Sequence, residues 1–325
     1  MADWETILFT VLNSASVIVG SCANLLIIVS FFVINSTREP TELFLVSLSV
    51  ADFLVCAVYQ PLLVICFNNP DQLFNQPYRS TMLFFGYSLM TASMNGLLAV
   101  NFDRFVAIYL PYKYMTWITE VNTAVIISIS WVISIATGIL NCFKGKIPGV
   151  QVIVRLYTTI IIVLIPILYG AIYKEARKQA RRIIEQSMAG ARVLPNRRYL
   201  TDRATRGVGL VLITTLLCWL PLILSPAFLP NLKADEDGFL RGIWWCVTAG
   251  CVNSCINPFI YFYKFSKFRR NVGKLFQMIG INVSGRLPIN INEKRVNPMS
   301  QDPNPMETAD GRAAWLVEEP APQGT

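Results

Sequence analysis

Seven long apolar runs constrain this chain more than any other feature: residues 7–34, 43–67, 82–102, 121–142, 152–173, 208–229 and 242–263. Each reaches the roughly 20 residues a helix needs to cross a hydrocarbon core about 30 Å thick. Lipid offers backbone N–H and C=O groups no partners, so spanning segments are either helices or closed barrels. The alternating segments of about ten residues that mark a barrel are absent. The expected fold is an all-α membrane protein, a bundle of seven transmembrane helices. Pro61, Pro166, Pro221 and Pro258 lie inside the runs, where they bend a spanning helix without ending it. Composition agrees, with 15% charged residues against about 25% in a soluble domain.

The loops set the orientation, because Lys and Arg are retained on the cytoplasmic side. Residues 174–206 carry ten of them (Lys174, Arg177, Lys178, Arg181, Arg182, Arg192, Arg197, Arg198, Arg203, Arg206), and 264–274 carry five more. The N-terminus offers only Asp3 and Glu5, and the last loop on its side sets Asp235, Glu236 and Asp237 against Lys233 and Arg241. The N-terminus is therefore expected outside and the C-terminus inside. The net charge of +8 reads as topology and attraction to anionic membrane lipids, not nucleic-acid binding. The first run has no basic start and is too long for a cleavable signal peptide. Residues 266–279 put Phe268, Val272, Leu275, Phe276 and Ile279 on one helical face with Lys267, Arg269, Arg270 and Lys274 between them, as an amphipathic helix on the inner membrane surface does. Residues 1–280 form one domain that includes this helix; the Pro- and Asn-rich 281–325 is expected to be a disordered tail.

Asp52 is the only carboxylate deep inside any run. A charge there costs about 2.5–3.5 kcal/mol on insertion scales, and such residues mark ion, proton or conformational coupling. Ser93, Asn253, Asn257 and Asn24 lie at matching depth in other runs and would supply hydroxyl and amide partners. An enzyme is disfavoured: the chain has no histidine, the commonest general base. A channel or transporter using Asp52 as its ion site is the alternative; no internal repeat supports it. Of the eight cysteines, Cys22, Cys56, Cys218, Cys251 and Cys255 read as apolar filler, whereas Cys66, Cys142 and Cys246 lie near the outer rim, where pairing is open.

Short signals then follow one per run. They are Gly20-x-x-x-Asn24; Leu48-Ser49-Val50-Ala51-Asp52; Asp103-Arg104-Phe105 with Pro111 beyond; Trp131; Pro166; Cys218-Trp219-Leu220-Pro221; and Asn253-x-x-x-Asn257-Pro258-Phe259-Ile260-Tyr261. In this order the chain resembles the class A (rhodopsin-like) G-protein-coupled receptors over about residues 7–279. The resemblance implies a plasma-membrane receptor that passes an extracellular ligand signal to a heterotrimeric G protein, with no covalent cofactor. It implies that Asp52, Ser93, Asn253, Asn257 and Asn24 hold a sodium ion, with Asp52 the metal ligand; a neutral Asp52 among amides is the other reading. Asp103, Arg104, Phe105, Pro111 and Tyr112 become the G-protein-coupling residues, and Trp219, Pro221, Pro166, Asn257, Pro258 and Tyr261 the activation switch.

The chain departs from the family pattern in five places. Arg79 stands where a disulfide Cys is usual. Thr215 replaces a Phe, and Met94 a branched residue. Tyr173 falls seven residues after Pro166 instead of eight, and Thr201, beside Asp202, replaces an acid. The last change predicts a weak clasp on Arg104 and ligand-free signalling. Gly86 occupies the amine-binding Asp position and Cys251 the retinal Lys position, so the ligand is expected to be neither an amine nor retinal. A pocket of Leu62, Gly86, Tyr87, Met90, Thr91, Thr158, Thr159, Ile162, Trp219, Leu222, Ile223, Val247 and Cys251 suits a lipophilic small molecule or the apolar end of a peptide. Arg79, Arg155 and Arg241 are possible anion contacts, or snorkel to headgroups. Four hydroxyls in the tail (Ser284, Ser300, Thr308, Thr325) predict weak arrestin recruitment.

Overall fold

The computed structural model describes residues 3–34, 39–142, 149–189, 214–215, 217–221, 236–264 and 266–280. Its labelled helices are α1 (Asp3–Ile34), α2 (Pro40–Leu54), α3 (Gln60–Asn68), α4 (Gln76–Tyr109), α5 (Pro111–Trp117), α6 (Glu120–Cys142), α7 (Val150–Ala189), α8 (Glu236–Lys264) and α9 (Ser266–Met278). Six segments among the described residues are long and apolar enough to cross a membrane: Trp4–Ile34, Pro40–Asn68, Gln76–Tyr109, Glu120–Cys142, Val152–Gln179 and Arg241–Tyr263. Of the remaining run, residues 214–215 and 217–221 are described, and they are helical. Among the described residues there is no strand.

The second run differs from a plain kinked helix. A π-turn, Val55–Tyr59, separates α2 from α3 immediately before Pro61. Pro61 has no N–H, and its ring crowds the carbonyl four residues back. One inserted residue relieves that clash while the chain keeps its course.

Helix α4 is the axis of the bundle and the most enclosed span. It packs on α6, α2 and α7, while α1 packs on α8, α2 and α3. Association inside lipid rests on close packing and interhelical hydrogen bonds, since lipid tails are as apolar as the helices. Small residues provide the close packing. A Cβ on Gly138 of α6 would meet Ser88 Oγ and lie 2.7 Å from the Phe84 carbonyl oxygen of α4. One on Gly96 would lie 3.1 Å from Leu48 of α2. Polar ties add to this: Trp131 Nε1 donates to Ser47 Oγ at 3.1 Å, Asn95 Nδ2 to Ser134 Oγ at 3.0 Å, and Tyr157 Oη to Asn95 Oδ1 at 2.8 Å.

Two further expectations meet the structure here. All eight cysteines are free, so Cys66, Cys142 and Cys246 form no disulfide. Cys142 and Cys246 instead point their thiols at the carbonyls of Ser80 and Pro221. The basic amphipathic segment is the helix α9, but its apolar face does not simply lie on lipid. Phe268, Val272 and Leu275 are buried, and α9 packs on α1 and α8. Ile279 lies beyond the helix end and is exposed. Arg269 is also buried, its Nη1 donating to the carbonyls of Phe262 at 3.1 Å and Tyr263 at 2.6 Å. It caps the end of α8, where carbonyls lack helical partners. The segment 281–325 lies outside the described residues.

Candidate functional site

The buried polar centre forms where α2, α4, α8 and α1 meet. Asp52 is 0% exposed. Ser93 Oγ of α4 donates to its Oδ1 at 2.6 Å, and Asn257 Nδ2 of α8 donates to its Oδ2 at 2.9 Å. Hydrogen bonds from two other helices thus hold a carboxylate in the middle of the bundle. Asn24 and Asn253 share the neighbourhood but make no hydrogen bond to Asp52. Asn24 Nδ2 donates instead to the carbonyls of Gly20 at 2.9 Å and Ser254 at 3.1 Å, tying α1 to α8. Among the described residues, the Oδ1 atoms of Asn24 and Asn253 are buried without a hydrogen-bond partner. These orphaned amide oxygens, with the Asp52 carboxylate, are hard oxygen donors of the type that suits a hard cation. The residues present fit the sodium ion that the sequence resemblance implies.

The second cluster closes the basic end of α4. Asp103 is fully buried and Arg104 about one-third exposed, with Arg104 Nε 3.4 Å from Asp103 Oδ2. Sequence reasoning missed two partners of Asp103. Tyr114 Oη of α5 donates to Oδ1 at 2.9 Å and Thr41 Oγ1 of α2 to Oδ2 at 3.0 Å, with the two hydroxyls 3.1 Å apart. Burial, opposed by the Thr41 hydrogen bond and reinforced by the Asp103 charge, holds the Tyr114 phenol above its ordinary range, so it remains a donor. Phe105 stacks on Tyr109 with centroids 4.6 Å apart. Tyr109 Oη reaches the Ala171 carbonyl at 3.1 Å, fastening α7 to α4. Pro111 begins α5, and Tyr112 is 96% exposed, free for a partner. Thr201 and Asp202 lie outside the described residues.

The residues expected to form an activation switch are placed as follows. Trp219 is buried against Gly250: a Cβ there would lie 2.7 Å from the Met90 methyl carbon and 3.5 Å from Trp219 Cζ3. Pro166 and Pro258 lie inside α7 and α8, Pro221 is helical, and Tyr261 is buried in the same core as Trp219, Met94 and Tyr169. Thr215 is buried.

The expected ligand lining is brought together only in part. Gly86, Thr91 and Cys251 are buried, and Tyr87, Met90, Leu62 and Val247 are half-buried. Thr91 receives a hydrogen bond from Thr137 at 3.3 Å. Thr158 spends its hydroxyl on its own helix, on the carbonyls of Val154 and Arg155, each at 3.0 Å. Thr159 does not face inward: it is exposed beside Ile160, while Tyr157, two residues earlier, reaches Asn95. Leu222 and Ile223 lie outside the described residues. Of the three arginines, Arg241 is paired with Glu5 of α1 at 3.6 Å, and Arg79 and Arg155 are exposed. A further buried set went unread. Gln60 Nε2 donates to Asn13 Oδ1 at 3.1 Å, and Asn13 Nδ2 to Thr248 Oγ1 at 3.2 Å, joining α3, α1 and α8. Amides at Asn13 and Gln60 inside apolar runs were a visible signal for it.

Comparison with known proteins agrees with this geometry. The family model of the 7 transmembrane receptor (rhodopsin family) matches residues 23–261. The chain belongs to that family, and is thus a multi-pass G-protein-coupled receptor for an extracellular ligand, a receptor class and not an enzyme family. It is 25% identical to trace amine-associated receptor 9 of Mus musculus, over 85% of this chain and 88% of the relative. It is 25% identical to adenosine receptor A2a of Canis lupus familiaris, over 85% and 73%. Against the alpha-1A adrenergic receptor of Mus musculus the figure is 24%, over 82% and 67%.

Proposed function

We propose that this receptor lies in the plasma membrane with its N-terminus outside, and that it binds a non-aminergic ligand, a lipophilic small molecule or the apolar end of a peptide, in the half of the bundle around Gly86, Tyr87, Met90 and Val247. The Arg104 end then faces the cytosol, where the basic 174–206 segment meets a heterotrimeric G protein. One observation carries the reading. Asp52 sits fully buried between pocket and coupling end, held by hydrogen bonds from two other helices. Any tilt of α4 or α8 must break or remake those bonds, so the cluster has a different energy in each arrangement.

The Asp52 carboxylate with the amide oxygens of Asn24 and Asn253 forms the sodium site of this reading. A bound sodium ion supplies positive charge there, favouring the arrangement in which these groups stay together. Although two of the relatives are named for amines or adrenergic action, Gly86 supports a neutral ligand here, because it leaves the helix without a carboxylate at that depth. Four hydroxyls in 281–325 support weak arrestin recruitment. The experiment is reconstitution of the full chain in nanodiscs with purified heterotrimeric G proteins and no added ligand. Nucleotide exchange is expected to rise with receptor dose, because Thr201 replaces the acid that would clasp Arg104. Exchange that stays at the G protein's own rate across all classes tested would refute ligand-free coupling.

A further inference from the structure

The buried space beside Gly86 is not empty. A Cβ built on Gly86 would lie 2.7 Å from Tyr59 Cε2, 2.8 Å from Cζ and 2.9 Å from the phenol oxygen. The ring of Tyr59 therefore fills the volume that a side chain on α4 would otherwise take. Tyr59 is the last residue of the π-turn, and the local geometry explains its aim. One residue inserted into a helix turns the side chains on either side by about 100° relative to each other. Tyr59 is swung towards α4, while Gln60, next in sequence, faces Asn13 on α1. The ring packs in one cluster with Leu89 and Cys251. Its hydroxyl oxygen lies beside α4 at Gly86. Glu5 of α1 is engaged with Arg241, and Asp52 of α2 with Ser93 and Asn257.

We propose that Tyr59 and Gly86 form one specificity element, in which a phenol occupies the place of a helix-borne carboxylate and selects a neutral hydrogen-bonding ligand over a protonated amine. A phenol offers a donor and an acceptor to an amide, carbonyl or hydroxyl. It gives a buried ammonium no counter-charge, so the desolvation of the cation goes uncompensated. This inference rests on the outer half of the bundle being the ligand site, and its test reads binding without a G protein, so a failure of coupling leaves it standing.

Binding of radiolabelled tyramine, a protonated amine, is measured on the purified full chain in nanodiscs. Wild type and Gly86→Asp are expected to show no saturable binding, the second because Tyr59 leaves its carboxylate no room. Tyr59→Val/Gly86→Asp is expected to show saturable binding, at least about tenfold above the residual tyramine signal of either at the same concentration. Saturable tyramine binding by the wild type, or no gain in the double variant, overturns the proposal. Should the Asp variants fail to fold, thermal melting of a milder pair decides. Gly86→Ala is expected to melt below the wild type, and adding Tyr59→Val to restore the midpoint. Equal melting of Gly86→Ala and wild type overturns the contact on which the proposal stands.

Discussion

Arg104→Ala is expected to lower receptor-stimulated nucleotide exchange at least about tenfold while the receptor still reaches the cell surface. A charge-assisted hydrogen bond is worth roughly 1.5–3 kcal/mol, and about 1.4 kcal/mol is a factor of ten in rate. The fold tolerates the loss for a reason visible in the geometry. Asp103 keeps hydrogen bonds to both carboxylate oxygens, from Tyr114 and from Thr41, after its pairing with Arg104 is gone. The side chain of Arg104 is about one-third exposed, so truncating it opens no sealed cavity. Exchange on purified G protein, beside surface labelling of intact cells, checks both halves. Undiminished exchange in Arg104→Ala would move the coupling role elsewhere.

Gly138→Val is expected to remove most folded receptor. Its added Cβ would collide with Ser88 Oγ and stand 2.7 Å from the carbonyl oxygen of Phe84. A flexible side chain can yield, but that carbonyl belongs to the backbone of α4, the axis on which α2, α6 and α7 pack. Overpacking a close-packed interior costs typically about 1–3 kcal/mol, and a backbone obstacle puts this variant at about the upper figure. Gly170→Val on α7 is the control, because a Cβ there meets nothing within 4 Å. Thermal melting in detergent is expected to show a low midpoint or no folded fraction for Gly138→Val, and wild-type melting for Gly170→Val. If Gly138→Val melts with the wild type, α4 and α6 do not cross this closely.

The architecture was legible in the sequence because spanning lipid demands about 20 apolar residues per crossing, a signal that needs no long-range information. The depth of each polar residue followed from its place within its run, and for Ser93 and Asn257 depth sufficed: both bond Asp52. Depth did not suffice for Asn24. Its amide finds the carbonyls of Gly20 and Ser254 within reach, and no linear pattern reveals that competition. Thr159 was misplaced by phase. Successive helical residues point about 100° apart, and Tyr157, not Thr159, has the inward direction. Tyr59 was hidden by the π-turn, which shifts the helical phase by one residue and has no compositional signature. Tyr114 and Thr41 come to Asp103 from a short helix and a helix start, where apolar periodicity says nothing.

In the proposed function, the buried Asp52 cluster is the ion-linked pivot of a signalling bundle. The most direct test measures ligand-free nucleotide exchange on purified G protein while sodium replaces N-methylglucamine at constant ionic strength. Wild-type exchange is predicted to fall as sodium rises, and Asp52→Asn, which keeps the side-chain volume and removes the charge, to give a flat response. Equal sodium sensitivity in the two proteins, or none in the wild type, would mean that Asp52 is not a sodium-linked pivot.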